Sequence, residues 1–200
     1  MNRQANHRHG PQATKKKHLP KTRKQELGTS GTRKRTGGHT IHTYDLVNEA
    51  VIHAPTHQVW NHLIAELNGT TTWWTPHNTH QPGNPTPEHP GGTTHITVHP
   101  NGHTKPGPKI HFTATTTHIT PPHTLTTTHT GHFTGTTTYT LTPTHNNQHT
   151  KLTITFTTTP HGWPTLLPKH TIPNQHTKAT HNALTNLNHQ LTHNTNTDTR

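Results

Sequence analysis

Apolar side chains are nearly absent from the first part of this 200-residue chain and recur in periodic runs from Ile41 to Leu191. In the first of these runs, 41–54, every second residue points to the same side, as in a half-buried β-strand. That shared face consists of Tyr44, Leu46, Asn48, Ala50 and Ile52. The alternation therefore predicts that the folded part of the chain begins with a strand.

A helix is predicted directly after this strand. Pro55 fits the first turn of a helix, where its missing N–H group costs nothing, and Asn68-Gly69 is typical of a helix end. Between them the apolar residues recur at helical spacing and form one stripe, which consists of Val59, Trp60, Leu63, Ile64 and Leu67. The stripe predicts a helix that packs on one side, with Glu66 on its polar side.

Proline and glycine divide the next part of the chain. The segment around Trp73 and Trp74 predicts one helical turn, and the residues 77–92 predict a loop because Pro and Gly recur through them. A short strand is predicted within 93–103, and the dipeptide Asn101-Gly102 predicts a hairpin turn at its end.

Three longer segments alternate between apolar residues and Thr, Lys or His, as half-buried antiparallel strands do. They span 109–120, 123–143 and 150–160, and the second divides near Gly131 into two strands. Ile119 is out of phase with the rest of its strand, which predicts a β-bulge. The residues predicted to face inward are Ile110, Phe112, Ala114, Phe133, Gly135, Thr137, Tyr139, Leu141, Leu152, Ile154, Phe156 and Thr158.

The C-terminal part of the chain changes to a helical period. The residues that recur there at helical spacing are Ala179, Ala183, Leu184, Leu187 and Leu191. Pro173 should end any helix that begins near Leu166, because proline cannot donate the backbone hydrogen bond of a helix interior. We therefore predict a long helix over about 174–192.

The order of the predicted elements indicates the fold class. Only the long helix can cover the apolar face of the sheet formed by these strands. We therefore predict an α+β fold in which a curved antiparallel sheet wraps around the C-terminal helix, leaving a tunnel that the first helix closes at one end. This domain is assigned to 41–193, with a basic disordered tail at 1–40 and a disordered C-terminus at 194–200.

Composition changes this picture mainly for the tail. Hydrophobic residues make up only 22% of the chain and Thr roughly a quarter, but Thr is β-branched and favours strands. Much of the net charge of +11 lies in the tail, whose clustered basic residues are Lys15, Lys16, Lys17, Lys21, Arg23, Lys24, Arg33, Lys34 and Arg35. The tail indicates either attraction to nucleic acid or another anionic surface, or a solvated segment without a partner.

Several classes of protein are excluded by what the sequence lacks. The chain has no cysteine, which excludes disulfides, thiolate nucleophiles and Cys-ligated zinc. No apolar run approaches the roughly 18 residues of a membrane-spanning helix, and the N-terminus lacks the apolar region of a secretory signal. We therefore expect a soluble cytoplasmic protein.

The order of landmarks resembles a known superfamily. A strand followed by the pattern Ile-x-Ala-Pro-x-x-x-Val-Trp at 52–60 and by Trp73-Trp74 is similar to START-like proteins of the SRPBCC type, most of all to their polyketide cyclase/dehydrase-type members. Later landmarks are Gly91-Gly92, 121–125, 131–143, 150–156 and the terminal helix. The resemblance covers about 41–193 and implies a helix-grip fold with an apolar cavity for lipids, polyketides or other hydrophobic small molecules.

The candidate ligand-binding residues are aromatic side chains predicted to line the cavity or its ends, together with two leucines of the last helix. They are Trp73, Trp74, Phe112, Phe133, Tyr139, Phe156, Trp163, Leu184 and Leu187. The expected function is the binding of a hydrophobic small molecule, mainly through burial of its apolar area, with little or no catalysis and no cofactor.

A polyketide cyclase or aromatase is the first alternative. Such an enzyme would need a polar group in the apolar pocket that can move a proton, and the candidates are Tyr44, Tyr139, His118 and His129. Paired-carboxylate catalysis is not expected, because no carboxylate pair of the folded part converges on the predicted cavity. The carboxylates considered are Asp45, Glu49, Glu66, Glu88 and Asp198. The only serine, Ser30, lies in the tail, which excludes a serine nucleophile.

The 27 histidines raise a second alternative, a basic His-rich protein that binds nucleic acid or metal. None of the closest histidine pairs has a carboxylate at ligand spacing, and the zinc motif HExxH is absent. These pairs are His7/His9, His39/His42, His77/His80 and His129/His132. We therefore expect no metal site, and nucleic-acid binding only through nonspecific attraction of the tail.

Overall fold

The computed structural model describes residues 32–33 and 41–194 of the chain. The strands are β1 (Thr32–Arg33), β2 (Ile41–His42), β3 (Tyr44–Ile52), β4 (Asn78–Pro82), β5 (Thr93–Val98), β6 (Ile110–Thr120), β7 (Thr124–Gly131), β8 (Phe133–Thr144) and β9 (His149–Pro160). The helices are α1 (Thr56–Leu67), the short 3₁₀ helix Trp163–Leu166 and α2 (Thr171–Asn194). Apart from β1 and residue 194, the predicted tails at 1–40 and 194–200 lie outside the described residues.

The strands from β3 to β9 form one antiparallel sheet in the order β3-β9-β8-β7-β6-β5-β4. The sheet curls into a half-barrel around α2, whose apolar residues pack on its concave face. The short strand β1, which the sequence did not predict, pairs only with β2 among the described residues. This architecture confirms the predicted α+β helix-grip fold.

The first strand and helix agree with the sequence pattern. β3 pairs with β9 along its whole length, and it buries Ile52 completely at the end where α1 follows. The helix begins after Pro55 and ends at Leu67. Gly69 follows with a φ of +70°, and a Cβ at this position would lie 2.6 Å from the backbone oxygen of His80. A glycine is therefore required where the chain leaves α1 for β4.

The central strands also have the predicted faces. β8 buries Phe133, Thr137, Tyr139 and Leu141 on the helix side of the sheet. The register between β6 and β7 shifts between Thr116 and His118, which confirms the predicted β-bulge before Ile119. Alternation was reliable here because one face of each strand is buried against α2 or the cavity described below.

Part of the predicted loop 77–92 forms a strand instead. Residues of β4, Asn78–Pro82, pair with β5 at the edge of the sheet, where Asn78 lies opposite Val98. The sequence Asn-Thr-His-Gln-Pro has no apolar alternation, because this edge strand buries little of its surface. Pairing with β5, and not local sequence preference, determines its structure.

The predicted turn at Asn101-Gly102 is confirmed, with Gly102 at a φ of +89°, and the next strand begins at Ile110, within one residue of its predicted start. Pro106 and Pro108 precede it, and they cannot donate the hydrogen bonds of a strand ladder. One predicted boundary is wrong. Helix α2 begins at Thr171, before the predicted residue 174, because Pro173 lies in its first turn, where no backbone donor is needed. No helix in the described part of the chain is both long enough and apolar enough to cross a membrane.

The interior divides into two apolar clusters. The first, here the packed cluster, joins α1 and the C-terminal half of α2 to the sheet, and it includes Ile52, Val59, Leu63, Trp73, Ala183, Leu184 and Leu187. The second, here the wall cluster, lies under the N-terminal half of α2, and it includes Ile96, Ile110, Phe112, Phe133, Phe156 and Ile172. Residues of the wall cluster line the cavity described below.

Candidate functional site

A cavity of about 420 Å³ lies between the sheet and the N-terminal half of α2. Strands β4, β5, β6, β8 and β9 contribute its walls, and the 3₁₀ helix and α2 cover it. The apolar lining consists of Trp74, Ile96, Val98, Pro100, Pro108, Ile110, Phe112, Phe133, Ile154, Phe156, Trp163, Leu167, Ile172 and Ala179. The polar lining consists of His77, Asn78, His80, His99, Asn101, Thr137, Tyr139, Thr171, Gln175, His176 and Lys178.

Three phenylalanines form an aromatic wall of the cavity. Phe112 and Phe133 meet edge to face at 5.6 Å between ring centroids, and Phe133 meets Phe156 in the same way at 5.9 Å. Edge-to-face contacts of this kind hold rings in fixed orientations. The wall therefore presents a rigid apolar surface to the space beneath α2.

The cavity is closed at one end and open at the other. The lining residues Trp74, Tyr139 and Ile154 are buried and also belong to the packed cluster, so the end of the cavity beside them is the inner end. At the other end Asn101, Pro108, Gln175 and Lys178 line the cavity while being exposed to solvent. The mouth therefore lies between the loop that follows β5 and the exposed side of α2.

Tyr139 supplies a hydrogen-bond donor at the inner end of the cavity. Burial raises the pKa of its hydroxyl, and the negative charge of Glu66 raises it further. The hydroxyl therefore stays protonated at neutral pH. None of the hydrogen bonds among the described residues uses this hydroxyl, so it is available to a ligand oxygen.

Glu66 is buried behind this inner end, which corrects the prediction that it lies on the polar side of α1. Its side chain is only 2% exposed. Its oxygens accept hydrogen bonds from the backbone N–H groups of Trp73 at 2.8 Å and Trp74 at 3.3 Å, and from the hydroxyl of Thr71 at 2.9 Å. The spacing contained this information, because residue 66 follows Val59 by two helical turns and shares its buried face.

His80 connects Glu66 to the cavity, whereas the sequence analysis considered it only as one of a histidine pair that could bind metal. The Nδ1 atom of His80 lies 3.1 Å from a carboxylate oxygen of Glu66, and the His80 side chain is 2% exposed. A carboxylate accepts but does not donate, so Nδ1 carries the proton of this bond. In the neutral ring Nε2 is then an acceptor on the cavity wall. No sequence signal pointed to this pair, because the edge strand β4 was not predicted.

Burial also controls the other histidines around the cavity. His129, on β7, lies behind the wall with its ring 5.0 Å from Phe112 and 5.5 Å from Phe156, and burial lowers its pKa to about 4. His176 stacks on Phe156 at 4.6 Å, and burial lowers its pKa to about 4 as well. Both side chains are therefore neutral at pH 7.

The nine predicted ligand-binding residues divide between cavity and core. Those that line the cavity are Trp74, Phe112, Phe133, Tyr139, Phe156 and Trp163. Those that belong to the packed cluster and do not line the cavity are Trp73, Leu184 and Leu187. The difference arises because α1 fills the space beneath the C-terminal half of α2, whereas no helix of the described residues fills the space beneath its N-terminal half.

The four predicted proton-transfer candidates lie in different surroundings. Of the four candidates, only Tyr139 lines the cavity; His129 lies behind the wall, Tyr44 packs beside the wall cluster, and His118 is exposed. In the described part of the chain, no three side chains of His, Asp or Glu meet in a way that would hold a metal ion.

Comparison with known proteins identifies a family for this chain. Residues 44–192 match the family model for polyketide cyclase / dehydrase and lipid transport proteins. A search of curated proteins finds no match.

Solved structures with the same fold are distant in sequence. The Zhui aromatase/cyclase from Streptomyces sp. R1128 is 14% identical, with 75% of this chain and 94% of that chain covered and a TM-score of 0.56. A conserved protein from Geobacillus kaustophilus is 12% identical, with 74% and 95% covered and a TM-score of 0.59. A Mycobacterium smegmatis protein is 18% identical, with 75% and 92% covered and a TM-score of 0.53. At these identities the likeness shows the fold alone.

Proposed function

The chain belongs to the polyketide cyclase / dehydrase and lipid transport family, and from this premise we propose that it binds a hydrophobic small molecule, lipid-like or polyketide-like, in the cavity under α2. The observation that carries the proposal is the cavity itself. Its volume of about 420 Å³ falls within the roughly 300–1,000 Å³ of ligand pockets, and apolar and aromatic side chains dominate its walls.

The binding energy comes mainly from the apolar walls. Burial of a ligand against Phe112, Phe133 and Phe156 stabilises the complex by about 25 cal/mol for each Å² of apolar surface removed from water. A few polar groups then orient the ligand. At the inner end these are the Tyr139 hydroxyl, which donates, and His80 Nε2, which accepts.

Two measurements test this proposal. Native mass spectrometry of the purified protein should detect a co-purified lipophilic molecule. The fluorescence of the neutral dye Nile red should also increase as the dye binds. Ala179→Phe places a phenyl ring in the cavity, so we expect Nile red affinity to fall by about tenfold or more.

Ala65→Phe, on α1 away from the cavity, is the matched control and should bind the dye as the unchanged protein does. Unchanged affinity in the Ala179→Phe protein, with its fold intact by circular dichroism, would show that the dye binds elsewhere and would contradict the proposal.

A polyketide cyclase or aromatase is the second candidate function, and the Glu66–His80 pair beside Tyr139 favours it. His80 Nε2 would take the proton from the carbon next to a ligand carbonyl, and the Tyr139 hydroxyl would donate a hydrogen bond to the enolate oxygen that forms. Glu66 would hold the His80 ring and stabilise its positive charge after the transfer.

Exchange of the α-protons of an aromatic ketone in D₂O, followed by NMR, tests this candidate. His80→Gln and Tyr139→Phe should each abolish protein-catalysed exchange while Nile red binding persists. Exchange that survives both substitutions would contradict the proposed roles of these two side chains.

A further inference from the structure

The charged groups around the cavity are unevenly distributed. None of the residues that line it is Asp or Glu, and Lys178 is the only one with a permanent charge. Lys178 lies on the exposed side of α2 at the mouth. Among the described residues, no carboxylate lies within ion-pair distance of its ammonium group. The mouth therefore carries a cation without a fixed counter-ion from the described part of the chain.

Two histidines that line the cavity add to the uneven distribution of charge around it. Burial lowers the pKa of His77, and the positive charge of Lys178 lowers it further. Burial and then Lys109 lower the pKa of His99, on the same side of the cavity. Both histidines are therefore neutral at pH 7, and they offer hydrogen bonds in the positive potential of two lysines.

The inner end of the cavity has the opposite potential. Glu66 lies directly behind His80, and its negative charge contributes to the raised pKa of Tyr139. An anionic group placed at this end would lie close to a buried carboxylate, and two like charges in a poorly solvated space repel strongly. An anionic ligand is therefore stable in one orientation, with its charge at the mouth.

We propose that the ligand is an amphiphile with one anionic headgroup, a carboxylate or a phosphate, which contacts Lys178 at the mouth while its apolar part lies against Phe112, Phe133 and Phe156. This inference rests on the proposed binding function and adds the headgroup and the orientation to it. His77 and Gln175 border the headgroup and supply hydrogen bonds.

Isothermal titration calorimetry of the full chain with four ligands of closely matched chain length tests the inference. The ligands are decanoate, decyl phosphate, decanol and decyltrimethylammonium. We expect at least one of the two anions to bind about fivefold more tightly than decanol, which is the upper end for an ion pair exposed to solvent. Decyltrimethylammonium should bind most weakly, and added salt should reduce the preference for the anion.

Lys178→Gln should remove this preference, because it weakens binding of the anion much more than binding of decanol. Lys169→Gln is the matched control, because Lys169 is exposed near the start of α2, does not line the cavity and loses the same charge. Equal affinities for the anions and decanol, or equal effects of the two substitutions, would overturn the inference while decanol binding still supported the proposed function. Binding of none of the four ligands would contradict the proposed function itself.

Discussion

The two halves of α2 face the same sheet but have different surroundings. In the C-terminal half, Ala183, Leu184 and Leu187 are almost fully buried against α1 and the sheet. In the N-terminal half, Ile172 and Ala179 border a cavity of about 420 Å³. One amphipathic helix thus serves as core along one half and as the cover of a cavity along the other.

The position of α1 explains the difference. Val59, Trp60 and Leu63 fill the space beneath the C-terminal half of α2, and aliphatic side chains of β3 and β9 complete the packing. α1 ends at Leu67, and no helix in the described part of the chain takes its place beneath the N-terminal half of α2. There the rings of the wall cluster brace one another, and space remains open.

The largest expected effect is a difference in stability between Leu187→Ala and Ile172→Ala. Leu187 is fully buried in the packed cluster, so its truncation leaves a cavity that neighbours cannot fill, and we expect the free energy of unfolding to fall by about 4 kcal/mol. Ile172 already faces open space, so the same truncation should cost about 1 kcal/mol. Urea denaturation measures both values. Equal losses would show that the two halves of the helix are packed alike.

Glu66 lies between the two regions, since it bonds Trp73 in the packed cluster and Trp74 and His80 on the cavity wall. Glu66→Leu leaves these buried donors without an acceptor, and we expect a loss of about 3 kcal/mol in urea denaturation. Glu66→Gln keeps one accepting oxygen and should cost about half as much. A loss from the leucine variant no greater than that from the glutamine variant would contradict the assigned role of the carboxylate.

Enlarging two alanines one helical turn apart sharpens the comparison. Ala183→Leu adds atoms to the packed cluster and should destabilise the protein by about 2 kcal/mol. Ala179→Leu extends into the cavity and should change stability by less than about 0.5 kcal/mol while it weakens Nile red binding. Thermal unfolding and dye titration of both variants decide the point. A larger stability loss at Ala179 would mean that the space beside it is filled.

A smaller effect concerns pH and the wall cluster. Burial lowers the pKa of His129 from 6.5 in the ordinary side chain to about 4 in the folded protein, so the unfolded chain takes up the proton first. The stability associated with the neutral ring is complete above pH 6.5 and is lost as the pH falls toward 4. At about pH 5.5 the loss is about 1.4 kcal/mol from this residue.

In the His129→Leu protein, the free energy of unfolding should fall less as the pH is lowered, by the loss just attributed to His129. Urea denaturation at a series of pH values measures this difference. The control is His118→Leu at an exposed position on β6, which should leave the decline as it is. An unchanged slope in the His129→Leu protein would contradict the burial of a neutral imidazole behind the aromatic wall.

The sequence predicted the faces of the strands correctly where burial of one face imposes a strict alternation of apolar and polar residues. Alternation in β8 and β9 correctly identified the inward residues, such as Tyr139 and Phe156, because one face of each strand is covered. It did not identify the edge strand β4, whose residues bury little surface apart from the His80 side chain. Glu66 was predicted on the polar side of α1, although its helical spacing places it on the buried face.

The sequence could not predict which apolar residues pack in the core and which line the cavity, and the reason is physical. Leu187 and Phe156 are both periodic apolar residues, and periodicity reports which face is covered but not how much volume lies beneath it. That volume depends on where α1 ends in space relative to α2. The Glu66–His80 pair depends on the same arrangement, since it joins a helix to a strand that the sequence did not predict.

Diffraction from crystals pressurised with xenon tests the central claim most directly, because xenon occupies apolar cavities and not well-packed cores. The account predicts xenon density against Phe112, Phe133 and Phe156 beneath the N-terminal half of α2, and none among Val59, Leu63 and Leu187. Side chains filling the first space, with xenon absent from it, would contradict the claim that this domain holds a ligand cavity.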